Sequence, residues 1–290
     1  MSTVLLATVC RSGFASLQDR GRHGWLRYGV PHGGWMDRTA AELALRLAGV
    51  QAANTVLIEV ANIGFSMRIE IDARVAITGA DAVKDYCTWH CHRLKAGQRL
   101  DIVGCPNGQW TYLAFDCGIS AQRWLGSASV NPTAGMGALL KKGDKLYAQH
   151  PAVAIDKQIV KQYIRQDEIP DYSLISPIEV ETAPQSNWFE TVTRKTFFAS
   201  EWYVSADSNR MGIRLQGPTL TVPTRSLLSE PVRVGSIQVP ADGQPIIMGP
   251  DGPTVGGYPK IGWLSPQALN QLVQCRPGQA IRFTPTLYPK

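Results

Sequence analysis

Three stretches of this chain set titratable or hydrogen-bonding side chains among glycines. The first runs Gln18-Asp19-Arg20-Gly21-Arg22-His23-Gly24 and continues through Tyr28-Gly29-Val30-Pro31-His32-Gly33-Gly34-Trp35-Met36-Asp37. Glycine permits positive φ and lets the backbone come close to a ligand. Here it is interleaved with arginines and histidines ahead of a helix start, where exposed N–H groups could take a carboxylate or phosphate. A solvated, turn-rich connection accounts for the same composition. The Gly-Lys-Ser/Thr ending of a nucleotide-phosphate loop is missing.

The second stretch is Ser208-Asn209-Arg210-Met211-Gly212-Ile213-Arg214-Leu215-Gln216-Gly217. Ser-Asn is turn chemistry, and Arg210 at the bend is either an arginine able to grip a carboxylate bidentately or an ordinary surface arginine. The third begins at Glu230-Pro231, passes through Gly235-Ser236-Ile237-Gln238-Val239-Pro240 and Asp242-Gly243-Gln244-Pro245-Ile246, and ends at Asp251 and Gly256-Gly257-Tyr258-Pro259-Lys260. Strand alternation puts Ser236 and Gln238 on one face. The Gly-Gly pair presents a phenol and an ammonium, groups that could stabilise charge developing on an oxygen, unless the segment is only a folding turn.

A fourth cluster, Cys87-Thr88-Trp89-His90-Cys91-His92, has the residue types of a zinc site. Neighbours in a strand point to opposite faces, so the four cannot converge without a bend. No second ligand pair stands nearby, and the expectation is a hairpin with Cys87 and Cys91 on one buried face and no metal.

These segments need a scaffold, and the remaining sequence describes one. Period-2 and β-branched runs recur at Val56–Glu59, Gly64–Ile71, Val75–Thr78, Leu100–Val103, Trp110–Phe115, Ile178–Thr182, Trp202–Ser205, Ile213–Leu215, Ser236–Val239 and Ile281–Thr284. Short strands divided by Gly, Pro, Asn and Asp are the pattern of barrels and sandwiches, and 27 glycines with 19 prolines agree. Helices are expected at 37–48, capped by Asp37 and closed by Gly49 with its apolar stripe at 40, 43, 44 and 47, at Ser265–Val273 behind Pro266, and at Asn187–Thr193.

Around 149–170 the strand pattern lapses, which suggests a connector at 151–176 between lobes 1–150 and 177–290. An internal echo fits that division: Lys95-Ala96-Gly97-Gln98-Arg99-Leu100 resembles Arg276-Pro277-Gly278-Gln279-Ala280-Ile281, with Lys142-Gly143-Asp144-Lys145-Leu146 as a third case. Either two related lobes or a recurring turn explains it.

With 29 Lys and Arg against 23 Asp and Glu, the net charge is +6 over 290 residues, and the basic residues are scattered. That argues against nucleic acid and for a small anionic ligand or an acidic partner subunit. Six cysteines do not make a disulfide scaffold at this length. The apolar start Val4–Val9 is too short and unflanked for a signal peptide and reads as a strand; the expected setting is cytoplasmic, without membrane attachment.

Gln-Asp-x-Gly-Arg-x-Gly with Gly-Val-Pro and Met-Asp, Ser-Asn-Arg-Met-Gly-x-Arg-Leu-x-Gly, Gln-Val-Pro-x-x-Gly-Gln-Pro-Ile and Gly-Gly-Tyr-Pro-Lys stand in this order from Gln18 to the region of Phe283. In this set the chain resembles the biotin-dependent carboxyltransferase family, which includes the allophanate hydrolase subunit 2 domain, the Kip-type antagonist of a kinase inhibitor and the C-type subunit of 5-oxoprolinase, the last being most similar. The resemblance implies a mainly β protein of two cyclophilin-like β-barrel lobes with a few short helices. It implies a subunit of an ATP-dependent 5-oxoprolinase that opens 5-oxo-L-proline, a cyclic amide, to L-glutamate. ATP would be shared with partner subunits, namely a companion cyclophilin-like subunit (of the B type, or allophanate hydrolase subunit 1 type) and a third 5-oxoprolinase subunit. The alternatives are a urea/allophanate-type carboxyltransferase using biotin carried on another chain, since no Ala-Met-Lys-Met sequence is present, and a non-catalytic Kip-type regulator. The chain departs from the family pattern at Pro253-Thr254-Val255, Thr182-Ala183-Pro184 and Val130-Asn131.

Lactam opening and carboxyl transfer both develop negative charge on oxygen. The expectation is therefore one cleft in the second lobe formed by Asn209, Arg210, Gln238, Asp251, Tyr258 and Lys260, with Arg20, Arg22 and His32 at its rim. Arg210 would grip a carboxylate, Lys260 and Tyr258 would face the oxyanion, and Asp251 would orient the lysine or act as a base.

Overall fold

Short strands joined by glycine turns build most of the chain, as the alternation pattern requires. The structure, a computed structural model, describes residues 4–50, 55–61, 64–104, 107–150, 163–173, 176–225 and 227–286. It divides into two units: residues up to Arg22 with Gly33–Pro170, and His23–His32 with Asp171 onward.

The first unit contains β1 (Leu5–Arg11), β2 (Ala15–Gln18), α1 (Arg38–Ala48), β3 (Leu57–Ala61), β4 (Phe65–Ile69), β5 (Ala73–Gly79), β6 (His90–Leu94), β7 (Arg99–Ile102), β8 (Trp110–Phe115), β9 (Ile119–Ser120) and β10 (Lys145–Ala148). They form two five-stranded sheets, β7-β4-β1-β10-β9 and β2-β3-β8-β5-β6. Both contribute to one core that includes Leu6, Val9, Ile58, Phe65, Val75, Leu113 and Phe115. Every residue of β5 and β8 is buried, because α1 covers the second sheet's other face. A strand covered on both faces has no polar side to alternate. Ala40, Ala41, Ala44 and Ala48 let α1 sit close, and Thr78 Oγ1 donates to the carbonyl of Ala40 at 2.7 Å. Asp37 caps α1 by accepting from the Ala40 amide, and Gly49 ends it at φ 74°. The buried stripe includes Leu45 and leaves Leu43 half-buried, turned slightly from the expected one.

The second unit contains β11 (Ile178–Thr182), α2 (Thr191–Ala199), β12 (Trp202–Val204), β13 (Gly212–Gln216), β14 (Glu230–Pro231), β15 (Ser236–Gln238), β16 (Ile246–Met248), β17 (Val255–Gly256), β18 (Lys260–Trp263), α3 (Pro266–Val273), β19 (Ala280–Ile281) and β20 (Phe283–Pro285). One eight-stranded sheet runs β19-β12-β13-β16-β15-β18-β11-β20, and β14 pairs with β17. Its two edge strands are consecutive in sequence with only Arg282 between them, so the sheet curls into a nearly closed barrel. The expected strand Ile281–Thr284 is thereby split: Arg282 passes the chain from one edge to the other. The mainly β expectation with few short helices holds.

The third expected helix is displaced. Ser186–Trp188 forms a single 3₁₀ turn and α2 begins at Thr191. Its Thr- and Val-rich start has poor intrinsic propensity; packing wins instead, with buried Phe197 stacked on Phe283 at 4.9 Å and against Trp202 at 5.8 Å.

The echoed turns share one geometry. The Lys95 amide donates to Gln98 Oε1 at 2.6 Å and the Gln98 amide to the Lys95 carbonyl at 3.0 Å, with Gly97 at φ 88°. Arg276 and Gln279 repeat this at 3.1 and 3.0 Å around Gly278, and Lys141 and Asp144 at 2.8 and 3.0 Å around Gly143. The side chain after each glycine reaches back to the turn's first N–H.

Much of the expected connector, 151–162 and 174–175, lies outside the described residues. Its described part belongs with the first unit up to Pro170: the Ile164 amide donates to the Trp89 carbonyl at 2.9 Å, and Arg46 reaches Glu168 at 2.5 Å. Among the described residues no helix is long and apolar enough to cross a membrane.

Candidate functional site

Lys260 opens β18, with β15 on one side and β11 on the other. It is only 3% exposed. Its ammonium donates to Glu230 Oε1, and Gln185 Nε2 donates to that same oxygen at 2.8 Å. Glu230 stands on β14 opposite Gly256 of β17, and Gln238 stands on β15 opposite Lys260. A Cβ at Gly256 would come 2.8 Å from Gln238 Nε2, so glycine is what allows the loop to lie on this amide. Gln185 Oε1 and Gln238 Nε2 are both buried without a partner, as is Ser236 Oγ. Each such orphan costs about 1–3 kcal/mol. A polar cluster left incomplete beside a buried ammonium is suited to receiving one more polar group. Tyr258, two residues before the lysine, is half exposed.

Arg210 and Asp251 form a second, separate pair. Arg210 Nε donates to Asp251 Oδ2 at 2.8 Å and its Nη2 to Oδ1 at 3.1 Å, with both side chains nearly buried. The backbones are locked as well: the Asp251 amide donates to the Arg210 carbonyl at 3.1 Å and the Gly249 amide to that of Met211 at 3.0 Å. A Cβ at Gly249 would lie 2.3 Å from the Arg210 carbonyl oxygen. Asn209 shapes the bend, its Oδ1 accepting from the Met211 amide at 2.8 Å.

The register keeps the pairs apart along the strands. Gln238 faces Ile246 and Lys260, whereas Gly212, just after Arg210, faces Met248, just before the Asp251 loop. Lys260 and Gln238 therefore lie toward one end of the central strands, and Arg210 and Asp251 beyond the other. This corrects the expected roles. Arg210 grips the carboxylate of Asp251 rather than offering its fork to a ligand, and Lys260 is oriented by Glu230, not by Asp251. Glu230 opens the third stretch with no role read for it and Gln185 lies in none of the stretches; they stand 30 and 75 positions from Lys260. Only the barrel brings them together.

The glycine-rich segment has another character. Arg20 and Arg22 belong to the first unit and His32 to the second. Arg20 is exposed and reaches Glu42 at 3.5 Å. Arg22 is 2% exposed and its Nη2 donates to the Ser129 carbonyl. Asp19 accepts from the Gly21 amide at 2.9 Å, Ser127 Oγ at 2.5 Å and the Ala128 amide at 2.7 Å. Ser129 Oγ donates to Gln18 Oε1 and accepts from the Gly34 amide at 2.6 Å. These groups bind one another, so the motif holds the first unit together. Asn131 accepts from the Ala134 amide at 3.2 Å, a capping task that Asp and Asn share, so this departure costs the fold nothing. His32 packs on His23, ring centroids 5.4 Å apart.

The helix start already holds anions of the chain itself. Asp37 caps it, the Met36 amide donates to Glu59 Oε2 at 2.7 Å, and Asp37 and Glu59 are fully buried. Their charge and the adjoining Tyr112, whose phenol is pushed far up chiefly by burial and then by these carboxylates, do not fit a phosphate here. In the Cys87–His92 segment the expected buried cysteine face does not form, since Cys87 is exposed and Cys91 half-buried, and the rings turn to carbonyls, His90 Nδ1 to Thr88 at 2.8 Å and His92 Nε2 to Cys87 at 2.7 Å. Among the described residues no group of three or more His, Cys, Asp or Glu is placed to hold a metal.

The family model for the carboxyltransferase domain, subdomains A and B, matches residues 28–285. The chain belongs to that family. Its sequence is 34% identical to the 5-oxoprolinase C subunit of Escherichia coli (strain K12) over 95% of this chain and 89% of that one. It is 30% identical to urea amidolyase of Saccharomyces cerevisiae over 94% of this chain but only 16% of the relative. Among solved structures, the Kluyveromyces lactis urea amidolyase superposes with TM-score 0.86 at 26% identity, covering 98% of this chain and 19% of that one. TTHA0988 superposes at TM-score 0.85 and 27% identity, with this chain spanning 56% of its length.

Proposed function

We propose that this chain is the C-type subunit of an ATP-dependent 5-oxoprolinase, which opens 5-oxo-L-proline to L-glutamate with partner subunits. The observation carrying this reading is coverage: the match extends over 89% of the Escherichia coli 5-oxoprolinase C subunit, whereas it accounts for 16% of the urea amidolyase of Saccharomyces cerevisiae.

Ring opening adds water across the bond between the carbonyl carbon and the ring nitrogen, breaks that bond and leaves a carboxylate and an amine. Negative charge collects on the carbonyl oxygen on the way. Glu230 holds one of the three protons of the Lys260 ammonium, and the others serve that oxygen. A donor fixed in a largely dry site stabilises such charge without reorganising, typically worth ~10²–10³ in rate. Tyr258 lines the approach. ATP supplies the driving force for opening an unstrained lactam. ATP is shared with the partner subunits, a companion cyclophilin-like subunit and a third 5-oxoprolinase subunit, all in the cytoplasm. Likeness to the Kluyveromyces lactis urea amidolyase supports a second reading, carboxyl transfer from biotin held on another chain.

Deleting this chain alone should abolish ATP-dependent conversion of 5-oxoproline in lysates of its own cells. Retained conversion contradicts the proposal, and tight binding to a partner with no turnover of lactam or urea points instead to a regulator of the Kip type.

A further inference from the structure

The incomplete cluster beside Lys260 has a definite chemical sense. Gln185 turns its Nε2 to the Glu230 carboxylate, which can only accept, so the orientation of this amide is fixed and Oε1 remains as a buried acceptor without a partner. Gln238 contributes a buried donor, Nε2, also without a partner. Gln185 follows β11 and Gln238 ends β15, the strands on either side of β18. An acceptor and a donor thus flank the ammonium of Lys260.

A ligand offering an N–H and a C=O along one edge would satisfy both. An amide closed in a small ring is cis and has that edge. A trans open-chain amide points the two groups opposite ways, and a ketone or ester lacks the N–H. We infer that Gln185 and Gln238 read the amide edge of a lactam, Gln185 Oε1 accepting from the ring N–H and Gln238 Nε2 donating to the carbonyl oxygen that Lys260 also serves. This rests on the 5-oxoprolinase reading and adds to it the residues that select the ring amide. Glu230 acts through both neighbours: its one oxygen positions the lysine and the Gln185 amide together. Gly256, with no Cβ, lets the covering loop lie directly on the Gln238 amide.

The test uses the assembled enzyme with its lactam substrate, 5-oxo-L-proline, and a ketone probe, 3-oxocyclopentanecarboxylate, in which CH₂ replaces the ring N–H. In the wild type, the Ki of the ketone should exceed the KM of the lactam by about tenfold or more, the cost of leaving one buried acceptor unpaired. Gln185→Met should raise the KM of the lactam by a similar factor, with a smaller change in kcat and none in the Ki of the ketone. Equal binding of ketone and lactam by the wild type overturns the inference whether or not the variant assembles. So does a variant that weakens both ligands alike, because that is what a purely structural glutamine would do. If the wild type turns over 5-oxo-L-proline but does not discriminate, this inference alone fails. If it does not turn over 5-oxo-L-proline at all, the functional reading fails and the inference with it.

Discussion

Lys260 and Glu230 form an ion pair whose cation is sealed and whose anion is not: the side chains are 4% and 35% exposed. A buried ammonium with no counter-charge costs several kcal/mol, so Glu230 is what permits a lysine at this position. Glu230→Ala should destabilise the protein by about 2 kcal/mol, less than the ~3–5 of a fully buried pair because the carboxylate is partly solvated. Urea denaturation of the two proteins measures it, and an unchanged midpoint contradicts the account.

Lys260→Met separates stability from chemistry. Methionine fills the volume of the lysine, and the Glu230 carboxylate left behind is 35% exposed and still accepts from Gln185, so the melting temperature should fall only modestly. The turnover of the assembled enzyme should fall ~10²–10³-fold. Near-normal turnover would remove Lys260 from the site.

The Arg210–Asp251 pair is expected to behave oppositely. Both side chains are nearly buried and share two hydrogen bonds, so Asp251→Ala removes the counter-charge of a buried guanidinium and should cost about 3–5 kcal/mol. Whatever activity is lost should follow the folded fraction. A stable Asp251→Ala protein with no activity would show that Asp251 acts in the chemistry after all.

These contrasts explain how much the sequence could convey. Strand positions, the Asp37 cap and the glycine turns are local properties, and each was legible from neighbours in the chain. The segment carrying Lys260 was legible too, because Gly-Gly-Tyr-Pro-Lys sets an ammonium after a tight turn. Partnership was not. Asp251 lies closer to Lys260 in sequence than Glu230 does, yet the register of β13, β15, β16 and β18 gives the carboxylates to opposite partners. The Gln-Asp-x-Gly-Arg segment misled for a related reason: nothing local reveals that Arg22 is buried against Ser129, more than a hundred residues away.

Two glycines test close approach in different ways. At Gly79, φ is +87° and a Cβ would lie 2.2 Å from the Trp110 carbonyl oxygen; backbone cannot yield, so Gly79→Ala should lower the melting temperature markedly. At Gly256 the nearest atom is the end of a flexible side chain, Gln238 Nε2 at 2.8 Å. Gly256→Ala should leave stability nearly intact and raise the KM of the lactam. The reverse ranking of the two variants in a thermal melt would refute this.

The cysteines carry a pH prediction. Burial pushes the thiols of Cys117 and Cys275 up to about 12 and that of Cys91 to about 11, while Cys87 is exposed. Only thiolate alkylates, so iodoacetamide should label Cys87 first at pH 8 and leave Cys117 and Cys275 unmodified in the native protein, as peptide mass spectrometry would show. The raised values also mean that the folded state favours the protonated thiols. Their contribution is complete below the ordinary thiol range near 9 and declines as pH rises toward 12.

The most direct measurement is the substrate preference of the complex purified through this chain. The account predicts glutamate formation from 5-oxo-L-proline that needs ATP, is lost in the Lys260→Met complex, and exceeds any turnover of urea in kcat/KM. A complex that carboxylates urea with biotin and leaves 5-oxo-L-proline untouched would contradict it.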